Sequence, residues 1–308
     1  MSQDRTHIGI ALVLGFCLVA PLGDAVAKLL GEAVPLGQVV AIRFALQAMV
    51  LIPLVWLGGR SWRMRGRVLA LAFLRTLLHI AGIWAMFVAL RYLPLADAVA
   101  IVFVMPFFML ILGHLVLGEE VGPRRLAACL AGFLGTLLIV QPSFLSVGWP
   151  ALLPVLVALT FSVFMLITRL IAPVTDPVGL QAVNGVMAVV VMLPLFALGT
   201  LWPVAPLALM SPTPADWGLL LALGGLGTLA HLLMTWALRH APSATVAPMQ
   251  YLEIPFATLL GLLIFGDLPG PLALTGIAVT MAAGLYVILC ERASALRRAR
   301  QAAAPHPA

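Results

Sequence analysis

Apolar stretches of 18–23 residues follow one another along the chain, separated by short breaks of charged residues, proline or glycine. None shows the two-residue alternation of a half-buried strand, which argues against an outer-membrane barrel. The breaks predict helices at about 8–30, 36–58, 68–90, 95–117, 124–141, 149–170, 179–201, 217–238, 243–265 and 271–290. A membrane span needs about 20 predominantly apolar residues, so each run is long enough to cross. Connections are short, as between antiparallel neighbours, and the longest, Trp202 to Asp216, is rich in proline. The predicted fold is an all-α integral membrane protein with ten transmembrane helices.

The pattern is written twice. Ala89-Leu90-Arg91-Tyr92-Leu93-Pro94 is echoed by Ala237-Leu238-Arg239-His240-Ala241-Pro242, and Gly118-Glu119 by Gly266-Asp267, both at an offset of 148 residues. A weaker echo sets Lys28, Arg43 and Pro53 against Arg169, Asn184 and Pro194 at an offset of 141. The change of offset is one loop of different length. If each copy holds five spans, the second enters the membrane upside down relative to the first, giving two inverted five-helix repeats, 8–141 and 149–290. A basic tail follows at 291–308. Inverted repeats of this kind build alternating-access transporters.

Composition agrees: 63% of residues are hydrophobic and 9% charged, against roughly 25% charged in soluble chains. The net charge of +6 lies in short clusters between apolar runs, which disfavours nucleic acid as a partner. Thirteen of the 17 Lys and Arg residues, among them Arg60–Arg67, Arg124–Arg125, Arg169, Arg239 and Arg292–Arg300, fall on one side if both termini are cytoplasmic. Lys28 and Arg91 fall on the other, and Arg43 and Arg75 within spans. Positive-inside bias therefore requires an even number of spans. Sixteen Arg to one Lys suggests a GC-rich bacterial genome and hence a bacterial inner membrane. Ala25-Val26-Ala27 has the form of a signal-peptidase site, but the preceding run is span-length, Asp24 adjoins it, and cleavage would destroy the repeat. Cys17, Cys129 and Cys290 lie in apolar runs and read as small hydrophobes, with no disulfide framework or metal-ligand spacing. No metal or cofactor is expected.

Charges at membrane depth cost about 2.5–3.5 kcal/mol each on insertion scales and usually face an interior cavity. Asp24 and Arg43, at similar depth on the first and second spans, form a plausible structural ion pair. Lys28, one turn beyond Asp24, reads as an interfacial or paired cation. Arg75 and His79 share a face of the third span. Arg75 either snorkels to the Arg60–Arg67 cluster or offers its guanidinium to an anionic or acidic group. Glu253 lies near the midplane of the ninth span with Gln250 on the same face, where Pro248 and Pro255 interrupt the helix. Its carboxylate can pair with Arg75, bind a cationic substrate or carry a proton. Glu253, Gln250, Tyr251, Arg75, His79, Trp84 and His231 are the candidate substrate contacts, and Glu253, His79 and Asp24 the candidate proton carriers. For His231 and Asn184 the alternative is an interhelical hydrogen bond. For Trp84, as for Tyr92, Trp149, Trp202, Trp217 and Tyr286, it is the interfacial aromatic belt. Trp236 is a further stacking candidate. Gly132, Gly135, Gly224, Gly225, Gly227, Gly276 and Gly284 read as helix-packing positions.

The duplicated Leu-Arg-x-x-Pro segments from Leu90 and Leu238, the helix ends Leu117-Gly118-Glu119 and Phe265-Gly266-Asp267, and Arg43 early in the second span resemble the EamA-type drug/metabolite transporter superfamily. The resemblance covers 8–290. The stretch from Ala247-Pro248 to Glu253, with Phe265-Gly266-Asp267-Leu268-Pro269, is similar to the subgroup of S-adenosylmethionine uptake and riboflavin carriers. Asp267 stands where the family usually has Glu. The resemblance implies a central cavity lined by spans 1, 3, 4, 6, 8 and 9, and peripheral spans 5 and 10 available for homodimer contacts.

The expectation is a secondary active or facilitative transporter, not an enzyme. Its cargo would be a small charged, partly apolar metabolite such as an amino-acid derivative, S-adenosylmethionine or a flavin. The alternatives are a membrane scaffold or sensor, which predicts a packed centre, and an intramembrane enzyme, for which no nucleophile–base or metal constellation is visible.

Overall fold

In the computed structural model, residues 4–31, 33–117, 123–201, 205–241, 246, 249–283, 285–286 and 289 are described. They are helical almost throughout, with no strand among them. The helices are α1 (Asp4–Leu30), α2 (Leu36–Leu57), α3 (Gly66–Tyr92), α4 (Leu95–Val102), α5 (Met105–Leu117), α6 (Pro123–Val147), α7 (Leu153–Ile171), α8 (Pro177–Leu201), α9 (Pro214–His240), α10 (Glu253–Leu260) and α11 (Pro271–Ala283). Eight helical segments among the described residues are long and apolar enough to cross a membrane, with α4 and α5 together making one of them. Two shorter apolar helices, Gln250–Phe265 and Pro271–Ala283, stand where the ninth and tenth spans are expected. Gly118–Glu119, Trp202, Pro242, Ala247–Pro248, Gly284, Cys290 and the 291–308 tail lie outside the described residues, as do the side chains of Pro106, Arg124, Arg125 and Cys129.

A helix satisfies its own backbone, which is why lipid admits it. Its outward side chains need only be apolar: Leu57, Leu115, Leu145 and Leu263 are largely exposed on the flank of the bundle. The packing pairs elements as an exchange of the two copies would. α1 lies along α9 and α7 along α3, so spans 1 and 8 map onto spans 6 and 3; α2 packs on α8, and α4 on α10, as self-mapped pairs. Close backbone approach fixes several of these contacts, as small residues do between membrane helices. A Cβ on Gly185 of α8 would fall 2.9 Å from the Ala48 nitrogen of α2, and one on Gly135 of α6 would fall 2.9 Å from the Gly276 carbonyl of α11. Gly225, by contrast, faces open space and is not a packing glycine.

Both copies interrupt the span that follows their Leu-Arg-x-x-Pro segment. Between α4 and α5 the amides of Phe103 and Val104 reach back only three residues, to the carbonyls of Ala100 (3.2 Å) and Ile101 (3.2 Å). In the second copy the tight turn Gln250–Leu252 precedes α10. Each break falls just before a proline, Pro106 or Pro255, which lacks the amide that would have bonded four residues back. The fifth span differs from expectation: α6 continues through Pro142 to Val147, since one proline removes a single bond. Gly148, at φ +73°, ends it.

The ends are tied by charge. Lys28 Nζ bonds Asp267 Oδ2 at 2.8 Å and donates to the Leu93 carbonyl at 3.2 Å. Asp176 accepts from the Val178 and Gly179 amides at the start of α8, and Arg60 reaches its other oxygen at 3.3 Å.

Candidate substrate cavity

The two breaks meet. Phe103 and Tyr251, related by the 148-residue offset, place their rings 5.1 Å apart at 33°. Beside them is a cavity of about 130 Å³. Spans 1, 3, 4, 6, 8 and 9 all contribute to its lining, and α2 adds Arg43.

Asp24, Arg43 and Glu253 line this space, and among the described residues none of the three makes a hydrogen bond or salt bridge. Asp24 and Arg43 lie within reach of each other's charge without direct contact, and Asp24 likewise acts on Glu253. Arg43 is 5% exposed and its Nη1 is unpartnered; Gln250, 1% exposed, leaves Oε1 unpartnered in the same lining. Buried polar groups are normally satisfied, so three unpaired ionisable groups and a free amide oxygen around one cavity mark a place for a polar guest. Gly227 of α9 leaves the room that the Arg43 guanidinium fills. A Cβ there would lie 2.6 Å from the guanidinium Nε and 2.7 Å from Nη2.

His231 connects the cavity to a buried network. Its Nε2 is 2.9 Å from His79 Nε2, and His79 Nδ1 is 2.9 Å from Asn184 Oδ1. The Asn184 amide nitrogen donates to Thr76 Oγ1 at 2.8 Å, which orients the amide with its oxygen toward His79. His79 therefore donates from Nδ1 and, when neutral, accepts at Nε2 from His231. This chain joins α3, α8 and α9, so Asn184 and His231 do make interhelical hydrogen bonds. His79 is fully buried and reaches the cavity only through His231.

The remaining candidates lie elsewhere. Arg75 neither snorkels nor meets Glu253. Its Nε donates to Thr168 Oγ1 at 2.6 Å, and its guanidinium lies over the Phe164 ring at 4.0 Å, fully buried, with Nη1 and Nη2 unpartnered. Tyr251 meets Phe103 in a tilted ring contact and does not line the cavity, Trp84 packs against the main apolar core, and Trp236 packs beside Leu51 and Val178. Cys17 is buried, with Sγ 3.5 Å from the Met249 carbonyl.

The profile of the EamA-like transporter family matches residues 7–141 and 148–290. The chain belongs to this family. A riboflavin transporter of Rhizobium johnstonii is 35% identical over 74% of this chain and 72% of its own. An S-adenosylmethionine uptake transporter of Rickettsia bellii is 26% identical over 92% and 94%, and a pseudopaline exporter of Pseudomonas aeruginosa 25% identical over 90% and 94%. A solved crystal structure covers 95% of this chain and 99% of its own with a TM-score of 0.66 at 19% identity, which shows the fold alone. This member of the EamA-like family is thus a multi-pass membrane protein of transporter type.

Other cavity residues of this EamA-like chain are not visible as chemistry in the sequence. Phe103, Phe161, Met105 and Met165 line the space, yet each is an ordinary apolar residue in an apolar run. The repeat offsets were the available signal: Met165 is the counterpart of Asp24, Met105 of Glu253 and Gly227 of His79.

Proposed function

We propose that the chain is a ten-span secondary transporter of the inner membrane, with both termini cytoplasmic. Two inverted five-span repeats, 8–141 and 149–290, surround the cavity at Asp24, Arg43, Gln250 and Glu253. Alternating access follows from rocking the bundle of spans 1, 2, 8 and 9 against that of spans 3, 4, 6 and 7, an exchange consistent with the reciprocal packing of α1 on α9 and α7 on α3. The cargo is a small charged, partly apolar metabolite, a class that includes the S-adenosylmethionine of one relative's name. Energy comes from a proton or solute gradient, with Glu253, Asp24 and the His231–His79 pair as the groups that take up the proton. The observation behind this reading is the set of unpaired charges around the cavity where the two interrupted spans meet. A scaffold would be packed there.

Counterflow in proteoliposomes tests it, using riboflavin, S-adenosylmethionine and amino acids with and without a pH gradient. Saturable exchange of at least one compound is expected, and failure of all of them to move would remove the reading.

A further inference from the structure

The cavity stops short of one end of the bundle. Its lining runs along α3 as far as Ile83, along α7 as far as Met165 and along α9 as far as His231. The residues that follow on those helices toward Arg60, Asp176 and Arg239 include His79, Thr168 and Thr235, which are polar and buried. Hydrogen bonds there tie spans 2 and 8 to spans 3 and 7. His231 meets His79 at 2.9 Å, Gln181 donates to Thr235 Oγ1 at 2.7 Å, and Gln47 donates to the Gln181 carbonyl at 2.7 Å. At the surface Asp176 Oδ2 lies 3.3 Å from Arg60 and 3.9 Å from Arg239.

Arg75 sits among these ties and shares none of them. It is fully buried about 13 Å along α3 from Gly66. Thr168 takes its Nε, Phe164 lies under its guanidinium, and both belong to α7, in the same bundle as α3. Nη1 and Nη2 have no partner, no carboxylate pairs with the group among the described residues, and its charge is felt at His79 and His231. We infer that Arg75 is a built-in opener of this end of the bundle: its unmatched charge destabilises the closed arrangement that the surrounding hydrogen bonds hold. Guanidinium is charged at every accessible pH, and an ion buried without a counter-charge pays a desolvation cost that one hydrogen bond and one ring face offset only in part. Parting spans 2 and 8 from spans 3 and 7 would break the ties and admit water to Nη1 and Nη2. Two opposed contributions at one place keep the closed and open arrangements close in free energy, as a reversible two-state element requires. The inference rests on the rocking motion proposed above and assigns one residue a direction within it.

Hydrogen–deuterium exchange of the full chain in lipid nanodiscs tests this, beside thermal unfolding in the same discs and counterflow in proteoliposomes. Arg75→Met and Arg75→Leu remove the charge and leave an apolar side chain against Phe164. Exchange in 177–185 and 231–239 should slow by about fivefold or more, because replacing a buried ion by an apolar group is often stabilising. The unfolding temperature should rise by about 2 °C or more. At the opposite end, 25–31 and 87–93 should exchange at the same rate or faster, since closing one side frees the other. Gln181→Leu removes a tie and should speed exchange in 177–185, and combining it with Arg75→Met should bring the rate back toward that of the unaltered chain. Slower exchange at the Asp176 end in at least one neutral variant supports the inference. Unchanged or faster exchange there in both, or equal slowing at both ends, overturns it. That result with counterflow retained would leave the transporter reading standing. Slowed exchange at the Asp176 end in a chain that moves no probe would keep the opener and remove transport.

Discussion

The two walls of the cavity are built on matching backbone positions and opposite chemistry. Asp24 and Met165 occupy equivalent sites, as do Glu253 and Met105, and both members of each pair reach the same space. The duplicated sequence gives reciprocal packing, α1 along α9 as α7 lies along α3. The charged side chains that reach the cavity all stand on one wall, from spans 1, 2 and 9.

The sharpest way to break this comparison is to remove its charges. Glu253→Gln should lower counterflow by about 10- to 100-fold, the scale of losing a contact to a charged group worth about 1.5–3 kcal/mol, while expression is retained. Undiminished, pH-sensitive transport by that variant would exclude Glu253. The reciprocal change, Met105→Glu, places a carboxylate on the apolar wall and is expected to cost about 2.5–3.5 kcal/mol, read as a lowered unfolding temperature in nanodiscs. Tolerance of it would mean that the two walls are interchangeable. Gly135→Ala forces a Cβ to within 2.9 Å of the Gly276 carbonyl and 2.5 Å of Thr280 Oγ1. It should destabilise the α6–α11 contact by about 1–3 kcal/mol without altering substrate preference. Asn184→Ala breaks the bond that orients His79 and should cost about 0.6–1.7 kcal/mol in the same assay. The smallest effect is expected at the Lys28–Asp267 pair, whose side chains are 18% and 36% exposed. Asp267→Asn should change stability by about 0.2–1 kcal/mol, and less at high salt.

Arg75 and His79 show where reading from the chain stops. Four residues apart, they share a helix face, and that much is legible from periodicity. Periodicity does not say what the face meets. The neighbouring α7 presents Phe164 and Thr168 to Arg75, closing it off, whereas α9 presents His231 to His79 and links it to the cavity. Arg43 shows the reverse case. Its depth matched that of Asp24, which suggested a closed ion pair, but the two make no direct contact, and the guanidinium packs against the bare backbone of Gly227 on α9. Proline positions were a partial guide: both breaks precede Pro106 and Pro255, where an amide is missing, yet Pro21, Pro53, Pro142 and Pro194 lie inside continuous helices.

From the sequence alone came the helical class, the duplication and its two offsets, and the short list of charges too costly to leave in lipid. Each depends on local pattern or on transfer energy, which a linear chain already specifies. The structure alone decided which charges share a cavity, which are sealed against aromatic faces, and that the polar residues lining the cavity stand on one wall. Those outcomes depend on contacts between helices more than a hundred residues apart, such as Arg43 with Gly227 and His79 with Asn184 and His231. In an apolar solvent such pairings are selected by packing and hydrogen bonding rather than by hydrophobic burial, and neither is written in a hydropathy pattern.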